Sequence, residues 1–413
     1  MVEQLFFHTE YSPMTNFLNQ QKAASLIQQF GSPLYVYDEK IIRQRAQELA
    51  NAFSGWKKTR LFYACKANNN PHILRIIREE GAGLDCVSIY EVELGLHTGF
   101  SPSQIIFTVN NMSDEEMHYA QNKKILLNID SLSRLEKYGR AYPHSNVCIR
   151  LTPEVIAGHH KKVQTGHKEC KFGILREEIP EVLRIMQQYH LRIIGLHEHT
   201  GSGIKNMSVT FGSMRQLMQI ALQFPNLQFL DFGGGFPVPY NPQEKRIHLQ
   251  QFGKQATQLF KEFCIKYGRE LNMYFEPGRY YVAEAGILLC TVTTLKQRGS
   301  KTFVGVNTGF HHLIRPVMYD SYHHITNTRS GLQKKYSIFG NTCESGDCFG
   351  RDRMLSLVHE GDILAIHTTG AYGFSMASQY NSRALPAEVL ISHSNARVIR
   401  NRETFKDIIR NVN

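Results

Sequence analysis

The 413-residue chain has no uninterrupted apolar run long enough to cross a bilayer. Its richest apolar stretch, around Ala283–Leu295, is short and broken by threonines, so no membrane partner is expected. No basic-then-apolar pattern opens the sequence, which carries Glu3 and Glu10 there instead, and no secretory signal is expected. No C-x-x-C occurs among the eight cysteines at 65, 86, 148, 170, 264, 290, 343 and 348. Most of them lie in apolar runs, where a thiol is a small buried hydrophobe. Neither a disulfide framework nor a redox motif is therefore expected. Cys343 is different, because the polar turn Cys343-Glu344-Ser345-Gly346-Asp347 predicts an exposed thiol. A basic stripe interleaved with aromatics is also lacking. Net charge is +11, but the basic residues fall in scattered pairs such as Lys57–Lys58 and Lys334–Lys335. That pattern argues against a nucleic-acid partner and leaves small anionic ligands for the local positive charge. What remains is an expected cytoplasmic protein of 42% hydrophobic and 20% charged residues. It is ordinary for a globular chain and long enough for two domains.

Short aliphatic runs recur through the first two-thirds: Leu61–Ala64, Leu84–Val87, Ile105–Val109, Ile125–Ile129, Val147–Leu151, Ile193–His197, Phe229–Leu230 and Met273–Phe275. Segments of helical periodicity separate them, as in Ile73, Ile76 and Ile77, or Met214, Leu217, Met218 and Leu222. Eight such β/α units predict a closed (β/α)8 barrel. From Ile287 onward, strands follow one another without long helices: Leu288–Thr293, Phe303–Asn307, Tyr336–Phe339, Ile363–Ile366, Glu388–Ile391 and Arg397–Ile399. The expected division is a barrel over residues 39–284 and a β-rich domain from residues 1–38 and 285–413, with the strand-like Pro33–Tyr37 in the latter. The long segment Pro153–Cys170, rich in His, Lys and Gly, is expected to be a lid near the mouth.

A barrel of this kind carries its chemistry at the C-terminal ends of its strands. Those positions hold Lys66, Asp85, Asn110, Asp130, Arg150, His197, His199, Gly233–Gly235, Glu276 and Arg279. Taken alone, Lys66 reads as a solvated lysine. In a partly dry pocket its amine becomes a nucleophile for an aldehyde. Three glycines after the seventh strand let backbone N–H groups approach a phosphate, although such a run can also be only a turn. Glu276 after the eighth strand suits a protonated ring nitrogen, or else forms an ion pair with Arg279. His197-Glu198-His199 invites a zinc reading, but no third ligand is evident, and a metal is not expected.

At these residues the chain resembles the alanine-racemase-like, fold-type III pyridoxal-phosphate enzymes, and within them the diaminopimelate decarboxylases. The matching segments are Tyr63–Asn68 (YACKAN), His199–Gly203 (HTGSG), Leu230–Gly235 (LDFGGG), Glu276–Arg279 (EPGR), Leu313–Pro316 (LIRP), Cys343–Asp347 (CESGD), Gly370–Gly373 (GAYG) and Tyr380–Arg383 (YNSR). They run in order over nearly the whole chain. The resemblance implies pyridoxal 5'-phosphate held as an imine on Lys66, with His199 stacked on its ring and Glu276 at its nitrogen. Ser202, Gly234, Gly235, Gly278, Arg279 and Tyr372 would complete the cofactor site. Arg279, Arg315, Tyr319, Tyr372 and Glu344 would bind the amino-acid substrate, and Cys343 would donate a proton. The implied assembly is a homodimer with shared active sites, and the implied reaction is decarboxylation of meso-2,6-diaminopimelate to L-lysine.

Three segments depart from the family pattern. Gly309-Phe310-His311-His312-Leu313-Ile314-Arg315-Pro316 replaces a GMNDLIRP-like run, and its two histidines are expected in a surface loop. Ser88-Ile89-Tyr90-Glu91 lacks the usual glycine pair, and Glu198 stands between two histidines. The rival readings are a decarboxylase of this fold acting on a D-amino acid, ornithine, lysine or carboxynorspermidine, a racemase, and a non-catalytic pyridoxal-phosphate carrier. The racemase needs a second base that the sequence does not offer, and a carrier has no use for Cys343 and Tyr372.

Overall fold

The computed structural model describes residues 17–155, 166–393 and 395–412. The chain divides into two compact units. Among the described residues, one comprises Arg45–Pro237 and Arg246–Tyr280, and the other comprises residues 17–44, Val238–Lys245 and residues 281–412. A first strand, β1 (Leu34–Asp38), belongs to the second unit.

The first unit is the closed parallel barrel that eight β/α repeats predict. Its strands are β2 (Thr59–Ala64), β3 (Gly83–Cys86), β4 (Ile105–Thr108), β5 (Leu126–Ile129), β6 (Asn146–Arg150), β7 (Arg192–His197), β8 (Phe229–Asp231) and β9 (Asn272–Phe275). Pairing of β2 with β9 closes it. Barrel strands are covered on both faces, which is why they read as continuous aliphatic runs rather than alternating ones. Phe62, Ile106, Cys148, Phe229 and Tyr274 pack together as one buried cluster. Room for two of these rings comes from glycines on the neighbouring strands. A Cβ on Gly195 would lie 2.0 Å from the Phe229 ring, and one on Gly83 2.5 Å from the Phe62 ring. The barrel is therefore filled, and the strands end above an apolar plug. The helices are terminated as their sequences direct. Pro71–Glu79 starts on Asn70, whose side chain accepts the His72 N–H at 3.0 Å, and buries Ile73, Leu74, Ile76 and Ile77.

The second unit is built on a nine-stranded sheet of order β14-β13-β11-β10-β1-β16-β17, with β15 branching from β10 and β12 pairing with β15. Its further strands are β10 (Gly286–Arg298), β11 (Lys301–Val306), β12 (Ile325–Asn327), β13 (Gln333–Phe339), β14 (Cys348–Ser356), β15 (Ile363–Ile366), β16 (Ala387–Ser392) and β17 (Asn395–Arg400). β1 lies between β10, antiparallel to it, and β16, parallel to it. Leu34 and Val36 pack with Ile287, Leu289, Val389 and Ile391 against Ala23 and Leu26 of the helix Gln20–Phe30. Two strands have no counterpart in the sequence reading. β12 is only three residues long. β14 is an edge strand whose Arg351-Asp352-Arg353 keeps it from looking apolar, as edge strands commonly do. No helix among the described residues is long and apolar enough to cross a membrane.

Candidate active site

The strand-end residues of the barrel converge at its mouth. Lys66 does not continue β2 but sits in a 3-10 turn, Cys65–Ala67, directly after it. Its Nζ donates to Asp85 Oδ2 at 3.1 Å. Asp85 is the penultimate residue of β3 and is 1% exposed, whereas the lysine side chain is 43% exposed. Burial and the charge of Glu276 push the Asp85 carboxyl above its usual range, against the pull of Lys66. The departure Ser88–Glu91 turns out to build a helix start. Ser88 Oγ accepts the Glu91 N–H at 3.2 Å, and the Glu91 carboxylate accepts the Val87 N–H at 2.8 Å. Burial raises that carboxyl to about 7, with the Val87 N–H and Lys66 opposing and Asp85 adding.

On the opposite strands, His197 Nε2 lies 3.1 Å from Glu276 Oε2, both buried. Ligand atoms of His197, Asp231 and Glu276 all lie within 4.8 Å of one another. Two buried carboxyls this close do not both ionise readily. Burial opposes charge on Glu276, but His197, which also bonds it, and Lys66 draw it down to about 2. Burial and that neighbouring charge push Asp231 well above the carboxylate range. The pair thus carries one negative charge, on Glu276. Asp231 ends β8 one residue before the glycines, where nothing in the local sequence assigns it a role.

His199 stands apart from this group. The Gly234 N–H donates to its Nδ1 at 3.1 Å, so the ring is neutral with its proton on Nε2. Burial, Arg150 and Lys66 depress its pKa to about 3. The glycines are required by space. Gly233 and Gly235 have φ of +64° and +99°. A Cβ on Gly234 would come 2.4 Å from the Glu276 carbonyl, and one on Gly235 2.7 Å from the Gly201 carbonyl. Beside them Arg279 Nη2 donates to Ser202 Oγ at 2.7 Å. Gly278 lets this loop pack on the lysine turn, since a Cβ there would lie 2.9 Å from Ala64 Cβ and 3.1 Å from Ala67 Cβ. Three buried atoms at the mouth have no hydrogen-bond partner among the described residues: Glu276 Oε1, His197 Nδ1 and Asp85 Oδ1. Buried polar atoms are rarely left so. A charged carboxylate with a spare oxygen, a glycine cradle beside a serine and an arginine, and an amine at the rim fit pyridoxal phosphate. They match its protonated ring nitrogen, its phosphate and its aldehyde respectively.

The second unit holds the other residues singled out in the sequence. Cys343 is exposed and free, and all eight cysteines are free thiols. Its backbone N–H donates to Asn381 Oδ1 at 3.2 Å, Asn381 Nδ2 donates to its Sγ at 3.3 Å, and Tyr380 Oη lies 3.7 Å from that sulfur. The Tyr380 hydroxyl also donates to Glu344. Asp347 knots the loop by accepting from Phe310 N at 2.7 Å, Thr342 N at 3.0 Å and Thr342 Oγ1 at 2.8 Å. Arg315 is buried at the start of the short helix Arg315–Tyr319. It donates to His323 Nε2 at 3.4 Å and Ser321 Oγ at 3.2 Å, over the rings of Tyr240 and Tyr319 at 5.0 and 6.0 Å. Tyr372 is half-buried in a left-handed conformation with φ +56°. His311 and His312 are not in a surface loop but are 1% and 3% exposed. His312 bonds Thr308 Oγ1 at 2.9 Å and the Ala384 carbonyl at 3.2 Å, with the His311 ring 3.8 Å from its own. The run is folded into the second unit, which apolar pattern alone did not reveal. Of the segment Pro153–Cys170, residues 156–165 with His159, His160, Lys161 and Lys162 lie outside the described residues.

A filled (β/α)8 barrel with this mouth, followed by a β-rich unit, defines the class of pyridoxal-phosphate barrel decarboxylases. The family model described as pyridoxal-dependent decarboxylase, pyridoxal binding domain, matches residues 39–283. A diaminopimelate decarboxylase of Methanothermobacter thermautotrophicus is 42% identical over 95% of this chain and 94% of its own length. That of Escherichia coli K12 is 34% identical over 97% and 98%. The crystal structure of diaminopimelate decarboxylase from Helicobacter pylori complexed with L-lysine superposes with a TM-score of 0.87 at 33% identity, covering 94% of this chain and 98% of that one. The chain belongs to the pyridoxal-dependent decarboxylase family, within its diaminopimelate decarboxylase branch.

Proposed function

We propose that the protein converts meso-2,6-diaminopimelate to L-lysine and carbon dioxide, the last step of lysine biosynthesis, with pyridoxal phosphate as its cofactor. The observation that carries the reading is Glu276, buried, held charged by His197 and left with one free oxygen. When bound, the cofactor supplies the electron sink for the breaking bond between the α-carbon and its carboxylate. Lys66 would hold it covalently, and Asp85 orients the lysine amine. Glu276 would keep a proton on its ring nitrogen, and the protonated Asp231 adds no second charge beside it. His199, fixed by the Gly234 N–H, presents a neutral ring. Gly234, Gly235, Gly278, Ser202, Arg279 and Tyr372 serve the phosphate side. Arg279, Arg315, Tyr319 and Tyr372 take the distal carboxylate end of the substrate, and Glu344 its distal ammonium. Cys343 delivers the proton that replaces the lost carboxylate. A homodimer with shared active sites, supported by the family resemblance, and a cytoplasmic location belong to the same proposal.

The test is carbon dioxide release from meso-diaminopimelate beside L-lysine, L-ornithine and carboxynorspermidine. Turnover is expected with the first alone, and preference for any of the others would sink the substrate assignment. Lys66→Ala should remove the visible cofactor absorbance. Cys343→Ala should retain the absorbance and lose turnover, whereas a carrier would be indifferent to it.

A further inference from the structure

We infer that Asn381 is a positioning residue for the proton-transfer step, gripping Cys343 with both ends of its amide; the inference rests on the reading of Cys343 as proton donor. Asn381 adopts φ +56° and ψ +26°, a left-handed conformation that asparagine tolerates better than most residues. The turn folds its side chain back onto Cys343. There the carbonyl end accepts the Cys343 N–H and the amide end donates to the sulfur. Only this orientation of the amide satisfies both contacts, since a backbone N–H needs an oxygen opposite it. Tyr380 stands on the same sulfur with its ring 5.3 Å from that of Phe310. Its own proton goes to Glu344, so toward sulfur its oxygen accepts.

The consequence is chemical as well as spatial. In the transfer, the S–H bond breaks and its electron pair stays on sulfur. The proton joins the carbon that has lost its carboxylate, which supplies the pair from the broken C–C bond. Sulfur ends as a thiolate, to be reprotonated by water. The N–H of Asn381 points at the atom on which negative charge appears, and hydrogen bonds to a charged acceptor are stronger than to a neutral one. The contact therefore strengthens along the reaction and favours it. None of this follows from the sequence motif YNSR, which marks the residue but not its partner.

Alanine would be strained at a left-handed position, so the informative variants are Asn381→Gly and Asn381→Asp. Glycine removes the amide and keeps the backbone. Aspartate keeps the acceptor for the Cys343 N–H but faces the sulfur with a carboxylate oxygen. In the holoenzyme, alkylation of Cys343 by iodoacetamide is followed against pH, with its peptide read by mass spectrometry. The alkylation midpoint should move to higher pH in Asn381→Gly and further in Asn381→Asp. In parallel, kcat on meso-diaminopimelate should fall on the order of tenfold in Asn381→Gly and more in Asn381→Asp, with KM within about twofold of the parent. An unmoved alkylation midpoint in both variants overturns the inference whatever the activity does. So does a shifted midpoint with unchanged kcat, or a rise in KM alone. If the glycine variant does not fold, the aspartate variant decides. Were the parent inactive on meso-diaminopimelate, the substrate reading would fail while the alkylation profiles still reported on the Asn381 contact.

Discussion

Replacing Glu198 by glutamine should stabilise the protein, and more so as pH rises. Glu198 leaves the barrel wall between His197 and His199 and is 2% exposed. Burial pushes its carboxyl from the ordinary 4.5 up to about 8, against a smaller opposing pull from the Ser213 hydroxyl. Below the unfolded value both states hold the proton, and the carboxyl is neutral in each. Between 4.5 and about 8 the unfolded chain has released it while the folded chain retains it. Folding is therefore opposed increasingly as pH climbs through that window. At 1.36 kcal/mol per pH unit, the loss is about 1 kcal/mol at pH 5, about 3 at pH 7 and about 4 at pH 8. Glutamine has nearly the same shape and no such proton. Guanidinium unfolding can be followed by the fluorescence of the single tryptophan, Trp56, which is buried in the barrel unit with its Nε1 bonded to the Leu271 carbonyl at 3.1 Å. Glu198→Gln should exceed the parent by a margin that grows by about 3 kcal/mol from pH 5 to pH 8. A margin independent of pH, or a variant weaker than the parent at pH 8, would show that Glu198 is not held neutral by burial.

Other perturbations test the mouth directly. Glu276→Gln removes the charge that His197 sustains, and kcat should fall on the order of a hundredfold while the visible cofactor band persists, as seen by steady-state assay and absorbance. Gly278→Ala drives a Cβ to 2.9 Å from Ala64, against the turn that carries Lys66. Cofactor affinity should drop about tenfold in absorbance titrations of the dialysed protein, in keeping with overpacking of a tight contact. Because His199 stays neutral down to about pH 3, it contributes no acid limb to kcat/KM between pH 5 and 8. His199→Gln should lower the whole profile without moving its inflections, and a shifted acid limb would contradict the neutral tautomer.

The sequence carried the barrel well because each strand is covered on both faces and announces itself as an aliphatic run, as Ile105–Thr108 does with all four residues buried. It carried the mouth for a related reason, since a strand end is a position that can be counted. Lys66, Asp85, His197 and Glu276 were all reachable that way. The β-rich unit was less legible. Edge strand β14 alternates with charges, β12 is too short to show a period, and the histidines at 311 and 312 looked like loop residues. The roles of Asp231 and Asn381 were hidden for a different reason. Asp231 matters through a proton shared with a carboxyl from another strand, and Asn381 through a turn that returns to Cys343. Such meetings depend on tertiary geometry, which local pattern does not contain.

The placement of β1 has a consequence for how the chain is made. Its register partners are β10 and, much later, β16. Tyr37 bonds Glu388 at 2.7 Å across a separation of 351 residues. During synthesis the whole barrel emerges before β16 exists, so the barrel can close while β1 still lacks one of its neighbours. Joining ends so far apart is entropically costly and slow. The β-rich unit should therefore be the last part to become protease-resistant. Loss of a few residues from β16 should unsettle a segment near the opposite end of the chain before it disturbs anything synthesised in between.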